Sequence, residues 1–416
     1  MNKYDICVIG MGYIGVPTAT IFASKGKRVL GVDVSLERVN NINNGKSHVG
    51  EADIDELLRK MVKEGNLTAC FHPKPSNVYI IAVPTPFWSD DDNRKHADLT
   101  YVEKAVRSIA LHIGNSEMII LESTSPVGTT RKVKCWLEDE VKKIGKDKEI
   151  DLSTIEYVHC PERILPGQML KELVTNDRIC GGITIKAAQK AKELYSIFCK
   201  GEIFTTDDKT AELSKLTENA YRDVSIAFAN ELSLVCDKLD VNVWELIKLA
   251  NRHPRVNILQ PGPGVGGHCI AVDPWFIIEA AENETPLMKT ARRVNDNKPI
   301  FIVDKVLDAC KKIENPIIAC FGLTFKANVN DLRESPALNI VKHLIDSNIG
   351  EILVVEPHIN IIPKELGYRT KLSTINDAIK AANILLILVE HKEFSTLKTY
   401  DLRNKTLIDT KGYLIQ

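Results

Sequence analysis

The apolar residues of this chain are spaced in two ways, and the spacing divides the chain into three stretches. Short apolar runs, such as residues 5–9 and 78–83, alternate with helical segments, which is typical of a parallel sheet covered by helices. From about residue 210 to 240 the spacing is helical throughout, and short apolar runs return at 316–321 and 384–389. The pattern predicts an α/β fold class with three domains: 1–205, a central helical domain 206–300 with a long spine helix, and 301–416.

A glycine-rich turn follows the first predicted strand. It reads Gly10-x-Gly12-x-x-Gly15, a helical segment comes next, and a second strand ends at Asp33. A strand before such a turn and a helix after it predict a Rossmann-type dinucleotide site, with the pyrophosphate at the helix N-terminus. Asp33 would bind the ribose hydroxyls and repel a 2′-phosphate, so the sequence predicts NAD as cofactor. Arg38 is near enough to soften that preference, unless it is only a solvated helix residue.

Polar residues follow three of the predicted strands. They are Thr85, Thr124 and Glu162. Because ligands of open parallel sheets lie at the carboxyl ends of the strands, all three are site candidates. Ordinary turn chemistry is the alternative explanation for each of them.

The predicted spine helix has an apolar stripe and a polar one. Lys215, Asn219 and Arg222 lie about one turn apart and therefore share a face. Asparagine is unfavourable inside a helix by several tenths of a kcal/mol relative to alanine, which suggests that its amide has a use. A solvated polar face is the alternative.

Cys269 lies in a segment that a structural cysteine would not favour. Four glycines and two prolines precede it within residues 260–268, and Asp273-Pro274 then reads as the start of a helix. A cysteine just ahead of a helix start lies near positive partial charge, which favours the thiolate. The sequence therefore predicts a covalent nucleophile at Cys269 rather than a buried hydrophobic residue.

Two further segments could bind anions. His253 and Arg255 precede the cysteine segment, where they could bind phosphate or an acidic substrate, or pair with a neighbouring subunit. In the last stretch, residues 322–336 form a loop that ends at a helix N-terminus, where a second phosphate-bearing ligand could bind. The fold class predicted is thus two Rossmann-like α/β domains joined by a central helical domain.

Composition limits the classes of function. The chain has 416 residues, 44% of them hydrophobic, and a net charge of -1, which gives no overall field for nucleic acid or an anionic membrane. No apolar run reaches membrane-spanning length and no signal-peptide pattern is present, so a cytoplasmic protein is expected. The 10 cysteines form no C-x-x-C pair, which predicts reduced thiols and no metal site.

Taken together, these residues resemble the UDP-glucose/GDP-mannose dehydrogenase family of nucleotide-sugar 6-dehydrogenases over essentially the whole chain. The motifs that carry the resemblance are G-x-G-x-x-G, S-T-S-P-V-G-T, C-P-E, the Lys215/Asn219 helix, G-G-H-C-x-x-x-D and F-K-x-N-x-x-D-x-R-E-S-P. N-R-H-P-R and the residues around Cys269 are most similar to the branch that acts on UDP-N-acetylmannosamine. Val272 and Pro166 depart from the UDP-glucose branch and argue against that substrate.

The resemblance implies an activity and a set of roles. Family enzymes oxidise C6 of a nucleotide sugar to a carboxylate with two NAD per turnover, and a homodimer through the spine helix is implied. In this scheme Lys215 handles the proton and Cys269 traps the aldehyde. Lys215 and Asn219 stabilise the oxyanion, each donor being worth about 3 kcal/mol. Asp273, Thr124 and Glu162 are the candidates to activate the hydrolytic water.

The binding residues fall into two sets. The cofactor set comprises Gly10, Gly12, Tyr13, Ile14, Gly15, Asp33, Arg38, Thr85 and Thr124, to which the resemblance adds Arg333. The substrate set, implied by the resemblance, comprises Arg163, Ile164, Lys215, Asn219, Arg222, His253, Arg255, Gly266, Phe325 and Lys326.

Three alternatives stay open at this point. The first is the same reaction on UDP-N-acetylglucosamine, because the side-chain geometry that distinguishes two epimers is left open by the sequence. The second is a two-electron β-hydroxyacid-type dehydrogenase, which also pairs a Rossmann domain with a helical Lys/Asn but needs no thiol. The third is a non-catalytic protein that binds NAD or a nucleotide sugar.

Overall fold

The computed structural model describes residues 3–91, 94–164, 167–367 and 369–414. Pro166, one of the two departures noted above, lies outside these residues. The chain forms two compact units. The first runs to Thr217 and includes Trp275–Ala280, and the second comprises Glu218–Pro274 and the chain from Ala281 onward. The three-domain division remains a prediction.

The first unit is built on a mostly parallel sheet of eight strands. Its strands are β1 Tyr4–Ile9, β2 Val29–Val32, β3 Leu67–Cys70, β4 Ser76–Ile81, β7 Met118–Leu121, β8 Glu156–His159, β9 Arg178–Gly182 and β10 Ile203–Asp207, and a small hairpin adds β5 Phe87–Ser89 and β6 Lys95–Ala97. The helices are α1 Gly15–Ser24, α2 Leu36–Asn43, α3 Ala52–Lys63, α4 Thr100–Ile109, α5 Thr129–Lys143, α6 Met169–Thr175 and α7 Ile185–Tyr195. The strand order is β10-β9-β8-β7-β4-β1-β2-β3. The direction of winding therefore reverses between β1 and β4, which is where such sheets bind their ligands.

The helical stretch contains α8 Asp208–Lys238, α9 Val243–Ala250, α10 Asp273–Ala280 and α11 Pro286–Cys310. No helix among the described residues is both long and apolar enough to span a bilayer.

The second unit contains a five-stranded parallel sheet. It comprises β11 Ile317–Phe321, α12 Pro336–Asp346, β12 Glu351–Val355, β13 Thr370–Leu372, α13 Ile375–Ala381, β14 Ile384–Ile387 and β15 Thr406–Asp409. The order β13-β12-β11-β14-β15 again reverses direction beside its first strand. The predicted fold class, two Rossmann-like units and a long helix, is confirmed.

The interior face of α8 is polar to an unusual degree. In the first unit Glu212 accepts hydrogen bonds from the Gly128 amide at 2.5 Å and the Thr130 amide at 2.7 Å, and so caps the N-terminus of α5. In the second unit the fully buried Asp223 pairs with Arg292 at 2.6 Å. Charged groups are buried only when they are paired, and these partners come from other helices.

Large apolar residues of α8 lie on its exposed side. Tyr221 is 73% exposed and Phe228 is 56% exposed. The homodimer implied for this helix remains a prediction.

Candidate functional site

The first glycine turn leaves its backbone bare toward a ligand. Gly10 has φ +95°, and a Cβ there would lie 2.6 Å from the carbonyl oxygen of Ala82, while a Cβ on Gly15 would collide with the Gly10 carbonyl. A Cβ on Gly12 would meet nothing within 4 Å, so this glycine faces open space. Helix α1 begins at Gly15 without a side-chain cap. The turn thus fits the pyrophosphate of a dinucleotide, which approaches closely and accepts from free N–H groups.

Asp33 lies directly beyond β2 and is bonded to that turn. One carboxylate oxygen accepts from the Met11 amide at 3.0 Å, and the other accepts from the Ser35 amide at 2.9 Å. Arg38 also reaches Asp33, at 3.4 Å, and is therefore not merely a solvated helix residue. An acid at this place suits the adenosine ribose of NAD.

The strands of the first unit end slightly earlier than the apolar runs predicted, so the polar candidates lie in the loops beyond them. Thr85 and Thr124 meet there, because the Thr85 hydroxyl donates to the Thr124 carbonyl at 2.7 Å. These loops follow β4 and β7, and β4 is the neighbour of β1 at the switch point. Both threonines therefore lie beside the predicted cofactor turn.

Glu162 is buried beyond β8 and is bonded on both oxygens. Arg178 donates to it at 2.6 Å and the amide of Arg163 donates at 2.7 Å. Ile164 follows in the same half-buried loop. The structure thus joins Glu162 and Arg163, and adds Arg178, which the sequence reasoning missed because its contribution depends on tertiary packing.

A second buried acid, Glu122, was also missed. Tyr195 donates to it at 2.5 Å and Thr18 of α1 donates at 3.2 Å. Burial, followed by the negative charge of Glu162, raises the pKa of Glu122 to about 7. Its place directly after β7, two residues before Thr124, was the same strand-end signal that identified the other candidates.

Lys215 and Asn219 both lie on α8, one turn apart. Burial, and to a smaller extent the nearby positive charge of Lys215, lowers the pKa of His159 to about 3, so this histidine is uncharged at neutral pH. Asn219 is 7% exposed and donates to the buried carboxylate of Asp273 at 2.6 Å. An amide nitrogen carries two N–H groups, and the bond to Asp273 uses one of them.

The cysteine segment packs on the loop that follows β11. A Cβ on Gly266 would lie 2.9 Å from the Cβ of Phe325, and one on Gly267 would lie 2.9 Å from the Phe325 ring. The Gly267 amide donates to the Arg333 carbonyl at 3.2 Å. Only glycine allows this approach, so Gly266 is required by packing whether or not it contacts a ligand.

Cys269 itself is exposed and is placed by the start of α10. Its carbonyl accepts from the amides of Val272 at 3.0 Å and Asp273 at 2.8 Å, which form the turn that enters the helix. The second unit thus contains the thiol, the Asn219–Asp273 pair and Phe325. The residues predicted as nucleophile, oxyanion donor and ligand loop therefore belong to one unit.

Most of the remaining predicted binding residues are exposed basic side chains. Arg333 is bidentate to Asp331, with Nη2 donating to Oδ2 at 2.6 Å and Nε to Oδ1 at 3.0 Å, and Lys326 lies at the surface beside Phe325. Arg222, His253 and Arg255 are also exposed. Their contacts with a ligand remain predictions, as does that of Tyr13, whose ring is 5.8 Å edge-on from His48.

One group of the described residues has the composition of a metal site. Ligand atoms of His358, His391 and Glu393 lie within 4.8 Å of one another. Both ring nitrogens of His391 are already used, one by the Asn328 amide and the other by Glu356. The group is therefore a hydrogen-bond network, and the expected lack of a metal remains a prediction.

This fold and site define an NAD-dependent dehydrogenase with a second nucleotide-binding unit. Three sequence models of one family match the chain. They are described as the NAD binding domain (residues 4–199), the central domain (209–297) and the UDP binding domain (319–416) of the UDP-glucose/GDP-mannose dehydrogenase family. The chain belongs to this family and is an NAD-dependent oxidoreductase.

Individual relatives match nearly end to end. The UDP-N-acetyl-D-mannosamine dehydrogenase of Campylobacter jejuni is 52% identical over 95% of this chain and 97% of its own. The NDP-N-acetyl-D-galactosaminuronic acid dehydrogenase of Ralstonia solanacearum is 50% identical over 98% and 95%. Among solved structures, the UDP-D-ManNAc dehydrogenase of Pyrococcus horikoshii is 37% identical, with a TM-score of 0.85 over 98% of this chain and 96% of that one.

Proposed function

We propose that this enzyme oxidises UDP-N-acetyl-D-mannosamine at C6 to UDP-N-acetyl-D-mannosaminuronate, in two NAD-dependent steps through Cys269. The observation that carries the proposal is the packing of the cysteine segment on Phe325, with Asn219 and Asp273 in the same unit. A bound intermediate needs a nucleophile, oxyanion donors and a loop for the nucleotide within reach of one another.

The first oxidation removes a hydride and a proton from the C6 alcohol. NAD supplies the hydride acceptor in each step, and two are reduced for each sugar. Lys215 takes the hydroxyl proton, directly or through water. The Cys269 thiolate adds to the resulting aldehyde, and its S–C bond keeps the half-oxidised sugar in place. Asn219 and Lys215 stabilise the oxyanion of this thiohemiacetal, and each donor is worth about 3 kcal/mol of barrier.

The second oxidation gives a thioester on Cys269, which water cleaves to the carboxylate and the free thiol. Asp273, Thr124 and Glu162 are the candidates to activate that water. Asp273 belongs to the same unit as Cys269, follows it by four residues and accepts a hydrogen bond from Asn219. We therefore infer that Asp273 orients the water.

The N-acetylmannosamine assignment rests on motif similarity and on the names of relatives. Those named UDP-N-acetyl-D-mannosamine dehydrogenase are 47–52% identical. Relatives named for N-acetylgalactosaminuronic acid, at 50–51% identity, make the N-acetylgalactosamine sugar the main competitor.

The substrate is tested by offering UDP-ManNAc, UDP-GlcNAc, UDP-GalNAc and UDP-glucose in parallel and comparing kcat/KM. We expect kcat/KM for UDP-ManNAc to exceed that for each other sugar by roughly 100-fold or more. A wrong sugar leaves buried polar groups of the pocket unpaired, which costs several kcal/mol of transition-state binding. Two NADH should form per sugar. A win for another sugar would contradict the substrate, and one NADH per sugar would contradict the four-electron reaction.

The thiol is tested with Cys269→Ser, with Cys135→Ser as a matched control because Cys135 is also an exposed free cysteine. We expect Cys269→Ser to lose at least about 1000-fold in NADH production, as in other enzymes that lose their nucleophile, and Cys135→Ser to keep it. Mass spectrometry of the enzyme incubated with sugar and NAD should find an adduct on residue 269. Full activity of Cys269→Ser would favour the two-electron class.

A further inference from the structure

The carboxyl end of the second sheet contains a buried pair, Glu356 and His391, that the reaction scheme does not use. Glu356 follows β12, is 3% exposed, and accepts from His391 at 3.0 Å. His391 lies beyond β14 and is completely buried. These two strands flank β11, from whose end the loop with Phe325 and Lys326 leaves. The pair therefore lies beneath the proposed nucleotide-sugar loop.

Glu356 holds the beginning of that loop. One of its carboxylate oxygens accepts from the Leu323 amide at 2.7 Å and the Thr324 amide at 3.2 Å. Its other oxygen accepts from the His358 amide at 2.9 Å. Several donors on one buried carboxylate fix the backbone direction at the point where the loop leaves the sheet.

His391 holds the far side of the same loop. Its Nδ1 accepts from the Asn328 amide at 2.9 Å, so the ring proton lies on Nε2 and points to Glu356. Asn328 has φ +61°, a conformation that asparagine adopts only where its surroundings support it. The Asn328 side chain returns a bond, since its Oδ1 accepts from the Lys392 amide at 3.0 Å.

Phe325 and Lys326 lie between these two anchors. Phe325 supports the glycines before Cys269, as described above, and Lys326 is exposed beside it. A shift of the Asn328 backbone would move both side chains. We propose that His391, held by Glu356, is a positioning residue that fixes residues 323–328 for binding the UDP moiety; the identity of this ligand rests on the proposed function.

Two substitutions test the two hydrogen bonds of the His391 ring separately. His391→Asn places an amide oxygen near the position of Nδ1 and keeps an acceptor for Asn328, whereas His391→Gln places its amide near Nε2 and loses that acceptor. We expect His391→Gln to raise the Kd of UDP, measured by calorimetry, about tenfold, because the Asn328 amide loses its partner. His391→Asn should raise it less than about threefold.

The kinetic readout distinguishes positioning from support of the fold. In His391→Gln the KM of the UDP sugar should rise with the Kd of UDP, while the KM of NAD stays within about twofold. His358→Gln is the control, since that ring packs 4.7 Å from His391 but only its backbone amide binds Glu356. It should bind UDP normally.

Unchanged UDP affinity in His391→Gln would overturn the proposal, and so would an equal loss of NAD binding and thermal stability. A wild-type enzyme that does not bind UDP would overturn it as well. If UDP binds with the expected variant pattern but no UDP sugar yields NADH, the proposed function fails and the positioning role stands.

Discussion

The two sheets share one backbone feature at their switch points, a glycine with positive φ. In the first unit β1 is followed by Gly10 with φ +95°, and in the second β11 is followed by Gly322 with φ +96°. A Cβ on Gly10 would strike the chain after β4, and one on Gly322 would strike Val389 after β14. Each glycine amide donates to the last residue of the neighbouring strand, at 2.8 and 2.9 Å. Crowding between adjacent strand ends explains the glycine in both.

The acidic residue after the second strand also has the same primary contact in both units. Asp33 accepts from the amide after Gly10, and Glu356 accepts from the amide after Gly322. The connections then diverge, with residues 10–14 leading into α1 and residues 322–335 leading into α12. The short turn after β1 offers backbone groups to the predicted cofactor. The long loop after β11 offers side chains instead, and further hydrogen bonds hold it in place.

The acid that follows the second strand of each sheet therefore occupies the same topological position but has different surroundings. Asp33 remains beside the cofactor turn, with the half-exposed Arg38 as its only charged neighbour among the described contacts. Glu356 is covered by His391 and works entirely inside the protein. The acid beside the short turn is the one predicted to bind the cofactor, and the acid beside the longer loop is structural.

The largest expected effect comes from removing the two acids. Glu356→Ala leaves three amides and His391 without their acceptor, and each buried unpaired donor costs about 1–3 kcal/mol, so we expect a loss of about 4 kcal/mol in the free energy of unfolding. Asp33→Ala leaves only two amides without their acceptor, the buried one of Met11 and the part-buried one of Ser35, and should cost about 1–2 kcal/mol. Urea unfolding followed by circular dichroism measures both.

Glu356→Gln is the matched control, since it keeps the shape and one carbonyl oxygen and should lose less than Glu356→Ala. If Asp33→Ala and Glu356→Ala lowered the free energy of unfolding equally, the two acids would contribute equally to stability. The two switch points would then not differ in the way described above.

The second effect concerns pH and compares Glu356 with Glu122 of the first unit. The pKa of Glu122 is raised from 4.5 to about 7, so the folded protein holds this proton more tightly than the unfolded chain. Its contribution to the free energy of unfolding is therefore lost as pH rises between 4.5 and about 7, by about 3 kcal/mol. Glu122→Gln should flatten that decline, as measured by urea unfolding at each pH.

Glu356 should behave in the opposite way. Burial would raise its pKa, but hydrogen bonds from His391 and from the Leu323 and His358 amides outweigh burial, and the pKa lies below its usual value of 4.5. Its stabilising contribution is complete above pH 4.5 and is lost as pH falls through the lowered pKa. Glu356→Gln should therefore remove the loss in the free energy of unfolding that wild type shows at acid pH, and leave the dependence at higher pH unchanged. If Glu122→Gln and Glu356→Gln changed the pH dependence of the free energy of unfolding in the same direction, this assignment would be contradicted.

The sequence identified what local pattern determines. Gly10, Asp33 and the helix start after Cys269 were predicted because a glycine turn, a strand tip and a helix cap are each specified within a few residues. The parallel strands and the helix beginning at Pro336 follow from the same kind of signal.

The sequence could not identify partnerships made by topology. Glu356 and His391 meet because β12 and β14 flank β11, and neither residue lies in a motif that predicts the other. The buried polar side of α8 is similar, since Arg292 of α11 donates to Asp223, and Asn230 donates to Asn295 of α11. Periodicity shows which residues share a helix face, but it does not show where a polar partner will be supplied.

The smallest effect tests the open side of Asp33. Arg38 is 45% exposed and 3.4 Å from Asp33, and such surface pairs are worth about 0–1 kcal/mol. Arg38→Ala should therefore change the KM of NAD less than about threefold. It should also lower the residual use of NADP, because Arg38 is the cation nearest to Asp33 and would meet a 2′-phosphate there. Steady-state kinetics with both cofactors measures this, with Lys46→Ala as an exposed basic control. A large rise in the KM of NAD would mean that Asp33 depends on a side-chain partner, as Glu356 depends on His391. The two acids would then differ less than proposed here.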